Sequence, residues 1–75
     1  MFYDGVDGKI EEVQITKSKK LIIREVFYAG KEYLDLRFWV RFRGSEDYNP
    51  TKQGIFMLKS NMQSVNTIIT KMLNP

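Results

Sequence analysis

Residues 31–43 read KEYLDLRFWVRFR, and they alternate without a slip. Leu34, Leu36, Phe38, Val40 and Phe42 fall on one side, and Tyr33, Asp35, Arg37, Trp39, Arg41 and Arg43 on the other. Successive side chains of a β-strand point to opposite faces, so the stretch predicts one long strand. One of its faces is apolar and needs a core. The other carries cations and aromatic rings.

The segment before it, LIIREVFY at residues 21–28, is rich in β-branched and aromatic residues and predicts a second strand. Ala29-Gly30 between them suits a two-residue hairpin loop, with glycine supplying a positive φ. Such a loop sets Tyr28 opposite Lys31, Val26 opposite Tyr33, Arg24 opposite Asp35 and Ile22 opposite Arg37. Residues directly opposite share a face. Tyr28 and Arg24 therefore join Lys31, Tyr33, Arg37 and Trp39, while Leu21, Ile23 and Phe27 join Leu34, Leu36 and Phe38 in the core. Glu25 falls on the core side opposite Leu34, which calls for a bulge or a reach past the sheet edge.

Outward from the hairpin, residues 9–17 (KIEEVQITK) alternate around Val13 and Ile15 and predict a moderately polar first strand. Ser18, Lys19 and Lys20 form a polar break. Residues 43–53, RGSEDYNPTKQ, read as the longest loop, and residues 54–58, GIFML, as a short fourth strand. Ser60 and Gln63 have the spacing of a capping box. Met62, Val65, Ile68, Ile69, Met72 and Leu73 then recur at intervals of three and four, which predicts an amphipathic helix over about 61–73. The fold class is α+β: a four-stranded antiparallel sheet followed by a C-terminal helix. Residues 1–8, with two Asp-Gly pairs, read as a flexible lead-in in which Phe2 and Tyr3 are candidates for docking, and residues 9–75 as a single domain.

Composition narrows the chemistry. Seventy-five residues have no room for a second core, and a chain this short buries only about 60% of its unfolded surface. Without cysteine or histidine there is no disulfide, no thiolate metal site and no imidazole base. Oligomerisation is the staple that remains, so a homodimer is expected, with the apolar face of the helix at its interface. No apolar run approaches a membrane span and no signal-peptide pattern opens the sequence, so a cytosolic location is expected, nucleoid-associated if the source is bacterial.

The net charge of +3 is unevenly placed. Residues 1–16 carry one Lys against four acids, residues 17–43 eight Lys or Arg against three, and residues 44–75 three Lys against two. The cationic excess thus sits on the central strands, as a phosphate-facing patch would. The face of Arg24, Tyr28, Lys31, Tyr33, Arg37, Trp39 and Arg41 interleaves cations with flat rings. Single-stranded nucleic acid needs both, because phosphates take the charge and bases take the rings, at roughly 1–3 kcal/mol per stacked base. The competing explanation is a second core in which a partner subunit covers Tyr33 and Trp39. Asp35, opposite Arg24 and near Arg37, reads as an orienting partner for arginine. Lys52, in the polar turn of residues 50–54, is placed to touch a phosphate. Glu11-Glu12 and Glu46-Asp47 lack metal-ligand spacing, and no phosphate-binding glycine loop or nucleophile motif is present, so no catalytic residue, metal or cofactor is expected.

The run from Tyr28 through Ala29-Gly30-Lys31 to Leu34-Asp35-Leu36-Arg37, with Pro50-x-x-x-Gly54-Ile55, resembles the C-terminal domain of the positive-cofactor-four transcriptional coactivators and their bacterial and phage relatives. The likeness covers some three-quarters of the chain. It implies a homodimer of curved four-stranded antiparallel sheets, each followed by a kinked helix, joined through helices and sheet edges. It also implies single-stranded DNA lying across the sheets with little sequence preference. Lys19, Tyr28, Lys31, Arg37 and Lys52 fall on the family's DNA-contacting positions, and Trp39 on the stacking tryptophan of the bacterial forms. Ala29, Gln53 and Val26 stand where relatives carry basic residues, with Arg24, Arg41 and Arg43 as candidates to compensate.

The expectation is therefore non-catalytic binding of single-stranded DNA in support of transcription, replication or repair. Lys19, Arg24, Tyr28, Lys31, Tyr33, Arg37, Trp39, Arg41 and Lys52 form the site. Single-stranded RNA is the alternative within nucleic acids. A protein-interaction module that has lost nucleic-acid binding is the alternative outside them. Neither a membrane nor a small-molecule substrate is expected.

Overall fold

The computed structural model describes residues 8–74, so the lead-in, including Phe2 and Tyr3, lies outside the described residues. The elements run β1 (Ile10–Thr16), β2 (Lys19–Tyr28), β3 (Lys31–Arg41), β4 (Tyr48–Leu58) and α1 (Lys59–Leu73). The strands form one antiparallel sheet in sequential order. This is an α+β fold.

The β2–β3 ladder has the register that the two-residue loop demands. Tyr28 faces Lys31, Val26 faces Tyr33, Arg24 faces Asp35 and Ile22 faces Arg37. Both loop residues have positive φ, Ala29 at 52° and Gly30 at 78°. That pairing matches a turn whose twist suits the flanking strands.

Three expectations need correction. The fourth strand is twice as long as expected and begins at Tyr48, so the polar turn at residues 50–54 is a bulge inside β4. Arg37 pairs with Gly54 but Trp39 pairs with Pro50, leaving Thr51, Lys52 and Gln53 opposite Phe38 alone. Thr51 Oγ1 holds the bulge by donating to the Phe38 carbonyl at 2.8 Å and accepting from the Gln53 N–H at 3.2 Å. Proline is tolerated here because β4 is an edge strand. β3 in turn stops at Arg41, short of Arg43.

The helix begins at Lys59 with Leu58 as its N-cap, and no side chain caps it. Ser60 lies inside the first turn, so the Ser60–Gln63 capping box does not form. The junction is held by charge instead. Lys59 Nζ donates to Glu25 at 2.8 Å and to Glu32 at 3.3 Å, while Glu25 also accepts the Lys9 N–H at 2.6 Å. This accounts for Glu25 on the apolar side: it sits in an unbroken ladder opposite Leu34 and needs neither a bulge nor an edge.

The expected core is only half covered. Among the described residues the fully buried side chains are Val26 and Asp35, and both lie on the cation-aromatic face. Leu21, Ile23, Leu34, Leu36 and Phe38 are half-buried, Phe27 is exposed, and α1 buries no residue. The helix stands off from the sheet, leaving an open groove of about 380 Å³ bordered by Ile23, Leu34, Leu36, Met62, Val65 and Ile69.

Candidate nucleic-acid interface

Strand parity brings Arg24, Tyr28, Lys31, Tyr33, Asp35, Arg37 and Trp39 to one face, as the hairpin predicted. At its centre Asp35 is fully buried between two guanidinium groups. Arg24 Nη2 donates to Asp35 Oδ2 at 2.8 Å, and Arg37 Nη2 donates to Asp35 Oδ1 at 3.2 Å. Each oxygen of the carboxylate thus orients one arginine, in short charge-assisted bonds that a buried ion needs.

Arg37 is fixed from a second side. Its Nη1 donates to the Thr51 carbonyl at 2.9 Å, which ties the guanidinium to the β4 bulge. The bulge also carries Lys52, which is exposed. Bulges commonly re-aim side chains near functional sites, and this one sets Lys52 and the Arg37 anchor within two residues of each other.

The rings form a row at the hairpin end. Tyr28 and Tyr33 are 6.4 Å apart and tilted at 59°. Tyr33 stacks on Phe56 at 4.5 Å and 14°. Phe56 was missed in the sequence because the parity of β4 follows only from Arg37 meeting Gly54, a pairing that an apparent loop conceals. Lys31 and Tyr28 are exposed at the hairpin tip, and Trp39 is half-buried with its indole N–H enclosed and unbonded.

One expected member is placed differently, and Arg41 keeps its face. Lys19 pairs with Val40 and its ammonium lies 5.1 Å from the Phe38 ring, so it belongs to the apolar face. Lys20, which pairs with Trp39, occupies the cation-aromatic face in its stead, bound to Glu12 at 3.0 Å and 4.2 Å from the Tyr48 ring. Arg41 lies beside Tyr48 and donates to the Lys17 carbonyl at 3.0 Å, stapling the β1–β2 turn to the end of β3. Tyr48 reinforces that end by donating to the same carbonyl at 3.3 Å.

The face therefore offers oriented guanidinium groups flanked by exposed and half-buried rings on one side of the sheet. The chain resembles BPSL1147, a PC4 homolog from Burkholderia pseudomallei, in two crystal forms. For the tetragonal form the TM-score is 0.75, with 28% identity over 91% of this chain and 100% of that one. For the orthorhombic form the TM-score is 0.75, with 29% identity over 96% and 95%. The bacteriophage T5 homolog of the eukaryotic transcription coactivator PC4, implicated in recombination-dependent DNA replication, shares the fold at a TM-score of 0.69 and 17% identity, over 91% of this chain and 78% of that one. No protein-family model and no curated protein sequence matches. In fold and in sequence the chain is thus similar to PC4 homologs.

Proposed function

We propose that this protein binds single-stranded DNA without catalysis and with little sequence preference, as a homodimer, in support of transcription, replication or repair. The observation that carries the reading is the buried Asp35 holding Arg24 and Arg37 beside a row of aromatic rings whose two ends are exposed. Oriented guanidiniums neutralise phosphates, and the rings accept bases of any identity. Lys31 and Lys52 extend the charge to the hairpin tip and the bulge, and Trp39 offers a further ring. The PC4 homologs it resembles support the same reading, and the phage relative's part in replication makes a role at exposed strands the natural setting. The cytosol, and the nucleoid in a bacterial source, is where such strands are met.

Homodimerisation through α1 and a sheet edge is supported by the uncovered apolar surface. Ile68, Ile69, Met72 and Leu73 are exposed, Met72 by 76%, beside the open groove.

The test is fluorescence of Trp39, the single tryptophan, titrated with oligo-dT at two salt concentrations. Quenching that weakens steeply with salt is expected. An unchanged emission together with an unchanged gel mobility would sink the proposal. Tighter binding of oligo-rU than of oligo-dT would transfer it to RNA.

A further inference from the structure

We propose that Phe56 and Tyr33 form a two-ring step that receives a base of the bound strand, placing a stacking subsite on β4 in addition to the rings of β2 and β3. This rests on the single-stranded DNA reading above.

The two residues are not cross-strand partners, since Tyr33 pairs with Leu58 and Phe56 with Asp35. Their rings reach each other diagonally and settle at 4.5 Å and 14°, a nearly parallel stack across two strands. Tyr28 leans against Tyr33 from β2, so three rings from three adjacent strands cross the sheet in a row. Packing against the helix does not account for Phe56. The helix faces the other side of the sheet, along the groove of Ile23, Leu34 and Leu36, and Phe56 keeps 39% of its surface exposed.

Position supplies the second argument. Phe56 lies directly opposite Asp35, the residue that orients Arg24 and Arg37. A base on the step would therefore have its phosphate close to two fixed guanidinium groups, so one nucleotide meets ring and charge together. A phenylalanine has no hydrogen-bonding group, so the subsite reads a π-face and not a base edge, in keeping with sequence-tolerant binding.

Binding to oligo-dT and to an abasic sugar-phosphate oligomer of equal length, followed by anisotropy, separates a base contact from a structural role. Phe56→Ala is expected to weaken oligo-dT binding about tenfold with an unchanged salt slope, and to leave abasic binding unaltered. Phe56→Leu, which keeps apolar bulk, is expected to follow Phe56→Ala, and Phe56→Tyr to follow the unmodified chain. Equal losses on both oligomers, or no loss on oligo-dT, would overturn the step while leaving single-stranded DNA binding intact. Failure of the unmodified chain to bind oligo-dT would overturn that underlying reading and the step with it.

Discussion

Arg37 lies across the bare backbone of Gly54: a Cβ added at Gly54 would stand 2.9 Å from the guanidinium carbon of Arg37. It would also stand 2.7 Å from the Leu36 carbonyl oxygen, which is backbone and has little room to yield. Gly54→Ala is expected to cost about 1–3 kcal/mol of stability, as other overpacked sites do. It should also displace the Arg37 anchor and lower the salt slope of oligo-dT binding by about one contact. Chemical denaturation and a salt titration check the two effects, and an alanine variant with native stability and slope would show that the close approach is unimportant.

Asp35 is the charge on which two arginines converge. Asp35→Asn keeps the shape but leaves the two guanidiniums facing each other without a counter-charge. The expected cost is about 3 kcal/mol, the scale for breaking a buried pair by removing one partner. Urea denaturation measures it. A midpoint equal to that of the unmodified chain would mean that the arginines are held by other contacts.

Ala29 has φ at 52°, a conformation that disfavours a Cβ by roughly 1–2 kcal/mol. Asparagine tolerates it better, so Ala29→Asn is expected to raise stability by about 0.5–1 kcal/mol and the melting temperature by several degrees. Ala29→Lys keeps the strain and adds a cation at the hairpin tip. Its signature is a salt slope steeper by about 0.7, the increment for one single-strand phosphate. A lower melting temperature for Ala29→Asn would contradict the turn geometry.

The Lys59 cluster predicts a pH dependence. The Glu25 carboxyl is held below its ordinary value of 4.5, chiefly by the hydrogen bond from Lys59 and then by the Lys9 backbone N–H. Its contribution to stability is present above that ordinary value and is lost as pH falls through the lower, folded one. Lys59 is held above its ordinary 10.5, chiefly by Glu25 and then by Glu32, so its contribution persists below 10.5 and is lost as pH rises through the higher, folded value. Glu25→Gln should melt below the unmodified chain at pH 7, and the two curves should converge below about pH 4. Curves that stay parallel across that range would rule out the linkage.

Met72 is the most exposed apolar residue among those named on α1. Met72→Glu places a charge where the proposed dimer would bury a methionine. Sedimentation is expected to show a smaller species, with a greater loss of affinity for long oligo-dT than for short, because two linked sites no longer engage one strand. A variant sedimenting as the unmodified chain does would move the interface elsewhere.

The hairpin was legible because a two-residue loop and an uninterrupted alternation together fix every pairing from Tyr28–Lys31 to Ile22–Arg37. The first half of β4 was hidden, since Asn49-Pro50 and the polar residues after it carry turn signals whether they lie in a loop or in a bulge. Phe56 was lost with it. The start of α1 was misplaced for a different reason: the Ser60–Gln63 spacing is a local signal, whereas the contacts that hold the junction, Lys59 to Glu25 and Glu32, are 34 and 27 residues apart in sequence. Lys19 was named by position in the resemblance, whereas its side of the sheet, the apolar one, follows from the parity of the ladder. The half-covered core was foreseeable from length alone, but which residues stay exposed depends on how far the helix lifts from the sheet.

The bulge at Thr51–Gln53 also bears on how this sheet avoids growing. β4 is an outer strand, and an outer strand presents a row of unpaired backbone groups that another chain can copy. Pro50 brings no N–H to that row, and the three residues after it break the spacing an incoming strand would have to match. The bulge divides this border into two short regular parts, Tyr48 to Pro50 and Gly54 to Leu58, each shorter than the roughly six or seven residues that a cross-β zipper uses. The same irregularity that anchors Arg37 thus guards the border against endless growth by strand addition.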